Sequence, residues 1–123
     1  MKKVFMIVAL AIMVIAPISA SAATWYKKNV TLPRTGDWDT VGRKAVSNTQ
    51  GTFVSKNSHK VYSWIEVHAT DKQVGPDRTW DGGEKHPHAQ YHYTGLKGAK
   101  LHASFKTTWI NYFTTTAHVE WAP

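Results

Sequence analysis

Residues 60–70 alternate without a slip: Val61, Ser63, Ile65, Val67 and Ala69 fall on one side of an extended chain, Tyr62, Trp64, Glu66, His68 and Thr70 on the other. A repeat of two cannot lay an apolar stripe along a helix, whose side chains recur about every 3.6 residues, so this segment is a strand. One face is core. The second carries bulky Tyr62 and Trp64, and so reads as half covered by a neighbouring segment or a partner. The same alternation returns at residues 101–106, where Leu101, Ala103 and Phe105 oppose His102, Ser104 and Lys106. At residues 113–121, Phe113, Thr115, Ala117, Val119 and Trp121 oppose Thr114, Thr116, His118 and Glu120. These two segments read as a strand pair joined through residues 109–112, with Asn111 as the turn residue.

Residues 24–32 give a strand ended by Pro33 and Gly36, and residues 38–46, 52–56 and 89–94 give three more. Turn-forming clusters at 48–51, 56–58 and 95–98 separate them. The stretch 71–87 is interrupted by Gly75-Pro76-Asp77, Asp81-Gly82-Gly83 and His86-Pro87, and reads as one long loop of the kind that often carries function. About seven strands and no helical period predict an all-β antiparallel sandwich or open barrel. Its core draws on Trp64 or Ile65, with Phe105, Val119 and Trp121.

Ahead of this pattern stand Lys2 and Lys3, an uncharged apolar run over residues 4–16, Pro17, and the small residues Ala20-Ser21-Ala22. A basic start, a short hydrophobic stretch and a small-residue cleavage point are the parts of a secretory signal peptide, and the run is too short to span a bilayer. The expected organisation is a cleaved signal at 1–22 and one β-domain at 23–123, exported to the cell exterior. The chain holds no cysteine, so neither disulfide nor thioether-linked lipid is available, a habit in keeping with Gram-positive export.

Lys and Arg total 15 against 8 Asp and Glu, an excess of seven that falls by two when Lys2 and Lys3 leave with the signal. A cationic exported domain attracts anionic partners: a cell-wall polymer, lipid head groups met in a peripheral membrane contact, or an acidic glycan. Nucleic acid is not expected, because an exported chain meets little of it and no RNA-binding signature is present. Six tryptophans and five tyrosines exceed what the core needs. Trp25 and Tyr26 precede Lys27 and Lys28, while Trp109 and Tyr112 follow Lys106; amphipathic rings beside cations suit a membrane interface or a sugar face. The expected binding set is therefore Trp25, Tyr26, Lys27, Lys28, Arg43, Lys44, Lys106, Trp109 and Tyr112.

Two other chemistries fit the residue types. His86, His88 and His92 lie close in sequence, with His102 and His118 on strands that could pair nearby, and imidazoles so placed suit zinc or copper. Asp77, Asp81 and Glu84 lack the dense oxygen pattern of a calcium loop. No Gly-x-Ser-x-Gly elbow, cysteine nucleophile or His-Glu-x-x-His helix is present. A general acid and base could be drawn from Glu66 and a histidine such as His88, as in a small secreted nuclease-like hydrolase. The adjacent carboxylates Asp37 and Asp39 read as an exposed strand edge or turn.

Trp38-Asp39-Thr40-Val41 with Arg43-Lys44, the Thr-rich strands, and the closing Val119-Glu120-Trp121-Ala122-Pro123 resemble small secreted cysteine-free β-proteins of Bacillus-type bacteria. That resemblance implies export and a sandwich without supplying a catalytic motif, and in size and charge the chain is also similar to cationic bacteriocins. The expectation is a secreted, non-enzymatic, bacteriocin-like protein that binds an anionic envelope component.

Overall fold

The computed structural model describes residues 23–83, 85–108 and 114–123. The signal segment 1–22, Glu84, and the Trp109 to Phe113 connection with its expected contacts Trp109 and Tyr112 lie outside the described residues. Among those described there is no helix, and nine strands form two packed antiparallel sheets. They are β1 (Tyr26–Leu32), β2 (Trp38–Asp39), β3 (Arg43–Lys44), β4 (Thr49–Ser55), β5 (Val61–Val67), β6 (Lys72–Trp80), β7 (Gln90–Tyr93), β8 (Lys100–Thr107) and β9 (Thr115–Ala122). The first sheet runs β1-β9-β4-β7; the second runs β2-β8-β5-β6, with β3 also pairing β8.

The core lies between the sheets, filled by the inward halves of the alternating strands: Leu32, Val54, Val61, Ile65, Leu101, Ala103, Phe105, Val119 and Trp121. Ile65, Phe105, Val119 and Trp121 are buried as the periodicity requires, whereas Trp64 takes the outer face and is half-buried. The segment at 38–46 divides into two short strands, because the chain leaves β8 between Asp39 and Arg43.

Two expectations are corrected. The strands at 101–106 and 113–121 do not pair: β8 belongs to one sheet and β9 to the other. Both bury one apolar face, and facing each other across the core satisfies that demand as well as a hairpin would. The end of β8 and the start of β9 meet through Thr115, whose hydroxyl donates to the Thr107 hydroxyl at 2.6 Å. Nor is 71–87 one long loop, since residues 72–80 form β6. Pro76 is tolerated there because β6 is an edge strand, where the missing N–H breaks no ladder on the far side. Gly75 takes φ +77° at the register shift opposite Ser63 and Ile65, a conformation that costs glycine little.

Candidate functional site

The outer face of the second sheet would ordinarily be wet, yet Glu66, His102 and Ser104 are buried there. Register brings them together. Glu66 of β5 stands opposite His102 of β8, and Asp39 of β2 stands opposite Ser104 of β8. Two turns then fold over them. The backbone N–H of Thr40 donates to Ala103 O at 2.9 Å as the chain leaves β2, and Asp71 closes the turn after β5, its N–H donating to Val67 O at 2.9 Å. Between these turns the ring of His68 lies where a Cβ on residue 42 would stand, 2.6 Å from its Cγ, so only glycine at position 42 lets the two turns meet.

Nε2 of His102 faces three carboxylates: Glu66 Oε1 at 2.8 Å, Asp39 Oδ2 at 3.5 Å and Asp71 Oδ1 at 3.7 Å. Its other nitrogen, Nδ1, is 3.0 Å from Nδ1 of His68, whose ring stands nearly perpendicular to it. The indole of Trp64 donates to Glu66 Oε2 at 2.9 Å. The Ser104 hydroxyl lies 2.6 Å from Asp39 Oδ1 and 3.0 Å from Glu66 Oε1, and its single proton serves one of them at a time. Burial pushes the Asp39 carboxyl above its ordinary range; Asp37 pushes the same way, while the Ser104 hydrogen bond and His102 oppose it.

Glu66 and His102 are buried while the side chains of Asp39 and Asp71 are 40% and 72% exposed, so the group opens to solvent on its carboxylate side, where a divalent cation can meet the acidic donors together with the imidazole. Ligand atoms of Asp39, Glu66, Asp71 and His102 all lie within 4.8 Å of one another. Neighbouring ligands on one ion are about 3.0–3.5 Å apart and opposite ones about 4.2 Å, given metal–ligand bonds of about 2.1 Å. The donors therefore need only small movements to share an ion.

The histidines expected to bind metal are arranged differently. Among the described residues the converging donor group contains none of His86, His88 and His92. Nε2 of His86 lies 2.9 Å from Asp81 O and its ring packs edge-on against Trp80. His88 is exposed. His92 points between the sheets with both nitrogens engaged, Nε2 at 2.7 Å from Thr52 Oγ1 and Nδ1 at 2.9 Å from Pro76 O. A carbonyl only accepts, so Nδ1 carries the proton and Nε2 accepts from Thr52. Thr52 in turn is 3.0 Å from Ser63 Oγ, to which the Trp80 indole donates at 3.0 Å. Every link of this chain is satisfied with His92 neutral, and burial, the largest cause, holds its pKa below the usual value.

The expected cationic and aromatic residues converge in part. Tyr26, Lys27, Lys28 and Arg43 line, with Trp38, a groove of about 340 Å³ at the open seam between β1 and the β2–β3 edge. Arg43 sits over Tyr26, its Cζ 3.5 Å from the ring centroid, and Lys28 Nζ is 5.8 Å from the Trp38 centroid. Lys44 follows Arg43 on β3 and is exposed. Trp25 lies over Gly51 and borders a separate depression with Phe53 and Ala89. Lys106 stands apart on β8, opposite Tyr62.

Asp39 and Asp71 were missed as site residues by sequence reasoning, which named His102 only as a histidine on a strand near His86, His88 and His92, and Glu66 only as a carboxylate available to some histidine. The site's one sequence signal is polar residues, Glu66 and His102, on the second faces of two strongly patterned strands. Comparison with known proteins finds no matching family model, no matching curated protein and no matching solved structure.

Proposed function

We propose that this protein acts outside the cell by binding a divalent metal ion at Asp39, Glu66, Asp71 and His102. The observation that carries the reading is the convergence of three carboxylates and one buried imidazole within 4.8 Å. Oxygen-rich donors with one imidazole suit Zn²⁺ or Mn²⁺; magnesium and calcium are held by oxygen alone. His68 beside His102 Nδ1, Trp64 on Glu66 and Ser104 on Asp39 supply the outer hydrogen bonds that aim such ligands. Secretion rests on the leader at 1–22.

The test is a calorimetric titration of untagged, chelator-treated protein with Zn²⁺ and with Mn²⁺. One equivalent should bind to the parent, with binding lost in His102→Ala and weakened at least tenfold in Glu66→Gln, a substitution that keeps the side chain's size. No binding by the parent, or binding that survives in His102→Ala, would end the reading.

A further inference from the structure

We infer that the groove at the β1/β2–β3 seam is a second binding site, one that takes an acidic sugar unit of an extracellular glycan. It goes beyond the metal reading and does not depend on it. The groove combines apolar walls with cations held in place. Tyr26 and Trp38 are its partly exposed aromatic walls and Val41 its exposed aliphatic one, while the buried core residues Val119 and Trp121 close it from beneath. The Arg43 guanidinium sits over the Tyr26 ring, its Cζ 3.5 Å from the centroid, which limits its motion, and a guanidinium is the cation suited to meeting a carboxylate or phosphate two bonds at a time. Nε of Arg43 is buried without a hydrogen-bond partner among the described residues, so an anion in the groove is met by the terminal nitrogens of the guanidinium.

Charge on the walls sorts the same way. Lys27 is paired with Glu120 at 3.8 Å, and Asp39 turns its Oδ1 to Ser104 on the other sheet face. Lys28 and Arg43 have no carboxylate within ion-pair distance among the described residues, so an incoming anion meets two cations fixed over rings. About 340 Å³ sits at the small end of ligand pockets, enough for one or two sugar rings. A sugar supplies C–H faces for the aromatic walls as well as the acid group. A lipid surface would need an apolar rim for its chains, and of the exposed large hydrophobic residues only Val41 lines the groove.

The experiment is calorimetry on the purified protein, kept in chelator, with four probes: trigalacturonate, glucose 6-phosphate, neutral maltotriose, and vesicles of anionic phospholipid. Trigalacturonate or glucose 6-phosphate should bind, the first marking a uronate source and the second a phosphate source. That binding should weaken with salt and fall at least tenfold in Arg43→Gln and in Lys28→Gln. Lys60→Gln, on the remote Asp81 pair, should bind as the parent does. The melting midpoint of each variant shows that it folds, and Lys28, on the exposed edge of β1, gives an independent variant if Arg43→Gln does not. Binding of neither acidic sugar, equal binding of maltotriose, insensitivity to both substitutions, or binding to vesicles alone overturns the inference. Because chelator is present throughout, a failed metal site cannot be mistaken for a failed groove.

Discussion

Two imidazoles in this molecule are almost wholly buried, and their surroundings are opposites. His92 lies inside the sandwich among hydroxyls and a backbone carbonyl, and its hydrogen-bond chain closes without any charge. His102 lies under two turns on the outer sheet face, where three carboxylates crowd one nitrogen. Burial alone therefore says little about what a histidine does. Partner chemistry decides: around His92 acceptors and donors balance in a structural strut, whereas the carboxylates around His102 are the donor set on which the proposed metal site rests.

The widest separation should come from metal. At about a thousandfold excess over Kd a ligand that binds only the folded state contributes about 4.1 kcal/mol, and each kcal/mol moves the midpoint of a domain this size by roughly 4–8 °C. Zn²⁺ or Mn²⁺ should then raise the melting midpoint by more than roughly 15 °C. His102→Ala should abolish the gain and His92→Ala should keep it. Equal loss in both variants would erase the distinction between the two histidines.

Next in size is the cost of emptying the interior site. His92→Ala leaves a cavity and strands both the Thr52 hydroxyl and the Pro76 carbonyl, a loss of roughly 3 kcal/mol. Denaturant unfolding at pH 7.5 in chelator measures it, and a loss under about 1 kcal/mol would show that the polar chain contributes little beyond ordinary burial.

Protonation pulls the two sites in opposite directions. His92 has a folded pKa below its ordinary 6.5, so its contribution is fully present above pH 6.5 and is lost as pH falls through the folded value. Asp39 has a folded pKa above its ordinary 3.8, so its contribution is present below pH 3.8 and is lost as pH rises through the folded value. In chelator, replacing His92 with Gln should flatten the decline in stability below pH 6.5 relative to the parent. Asp39→Asn should remove a destabilising trend on the rising side of pH 3.8. Added metal should offset the second effect, because the cation favours the ionised carboxylate, and leave the first in place.

The fold was legible where side-chain period did the work. Val61 to Val67 and Leu101 to Phe105 declare their inner faces by alternation, and the structure buries those faces. What alternation cannot state is which strand lies beside which. The segments at 101–106 and 113–121 satisfy their apolar faces equally well paired in one sheet or opposed across two, and the structure opposes them. The site was hidden for the same reason. Glu66 and His102 are 36 residues apart and meet only through the β5–β8 register, while Asp71 arrives from a turn and Asp39 from a two-residue strand. His86, His88 and His92 drew attention because they are near in sequence, yet His92 is buried on β7 while His88, ahead of that strand, is exposed. Of the cationic and aromatic residues grouped by type alone, Tyr26, Lys27, Lys28 and Arg43 line one groove, while Trp25, Lys44 and Lys106 do not line it, because residue type does not state strand order.

The smallest expected effect separates what aims the carboxylates from what merely surrounds them. Ser104 is not itself one of the proposed metal ligands; its hydroxyl lies against the carboxylates of Asp39 and Glu66, which are. Ser104→Ala removes one hydroxyl from a site that remains packed, so metal-free stability should fall by only about 1 kcal/mol, the net worth of an ordinary hydrogen bond. Loss of an outer-shell partner typically weakens metal affinity by about 10- to 100-fold, and the lower end is expected here because Trp64 still anchors Glu66. Denaturant unfolding in chelator and calorimetric titration on the same preparation give both numbers. A stability loss with unchanged metal affinity would make Ser104 a packing residue like those around His92. A drop in affinity with little loss of stability would place it in the service of the cation.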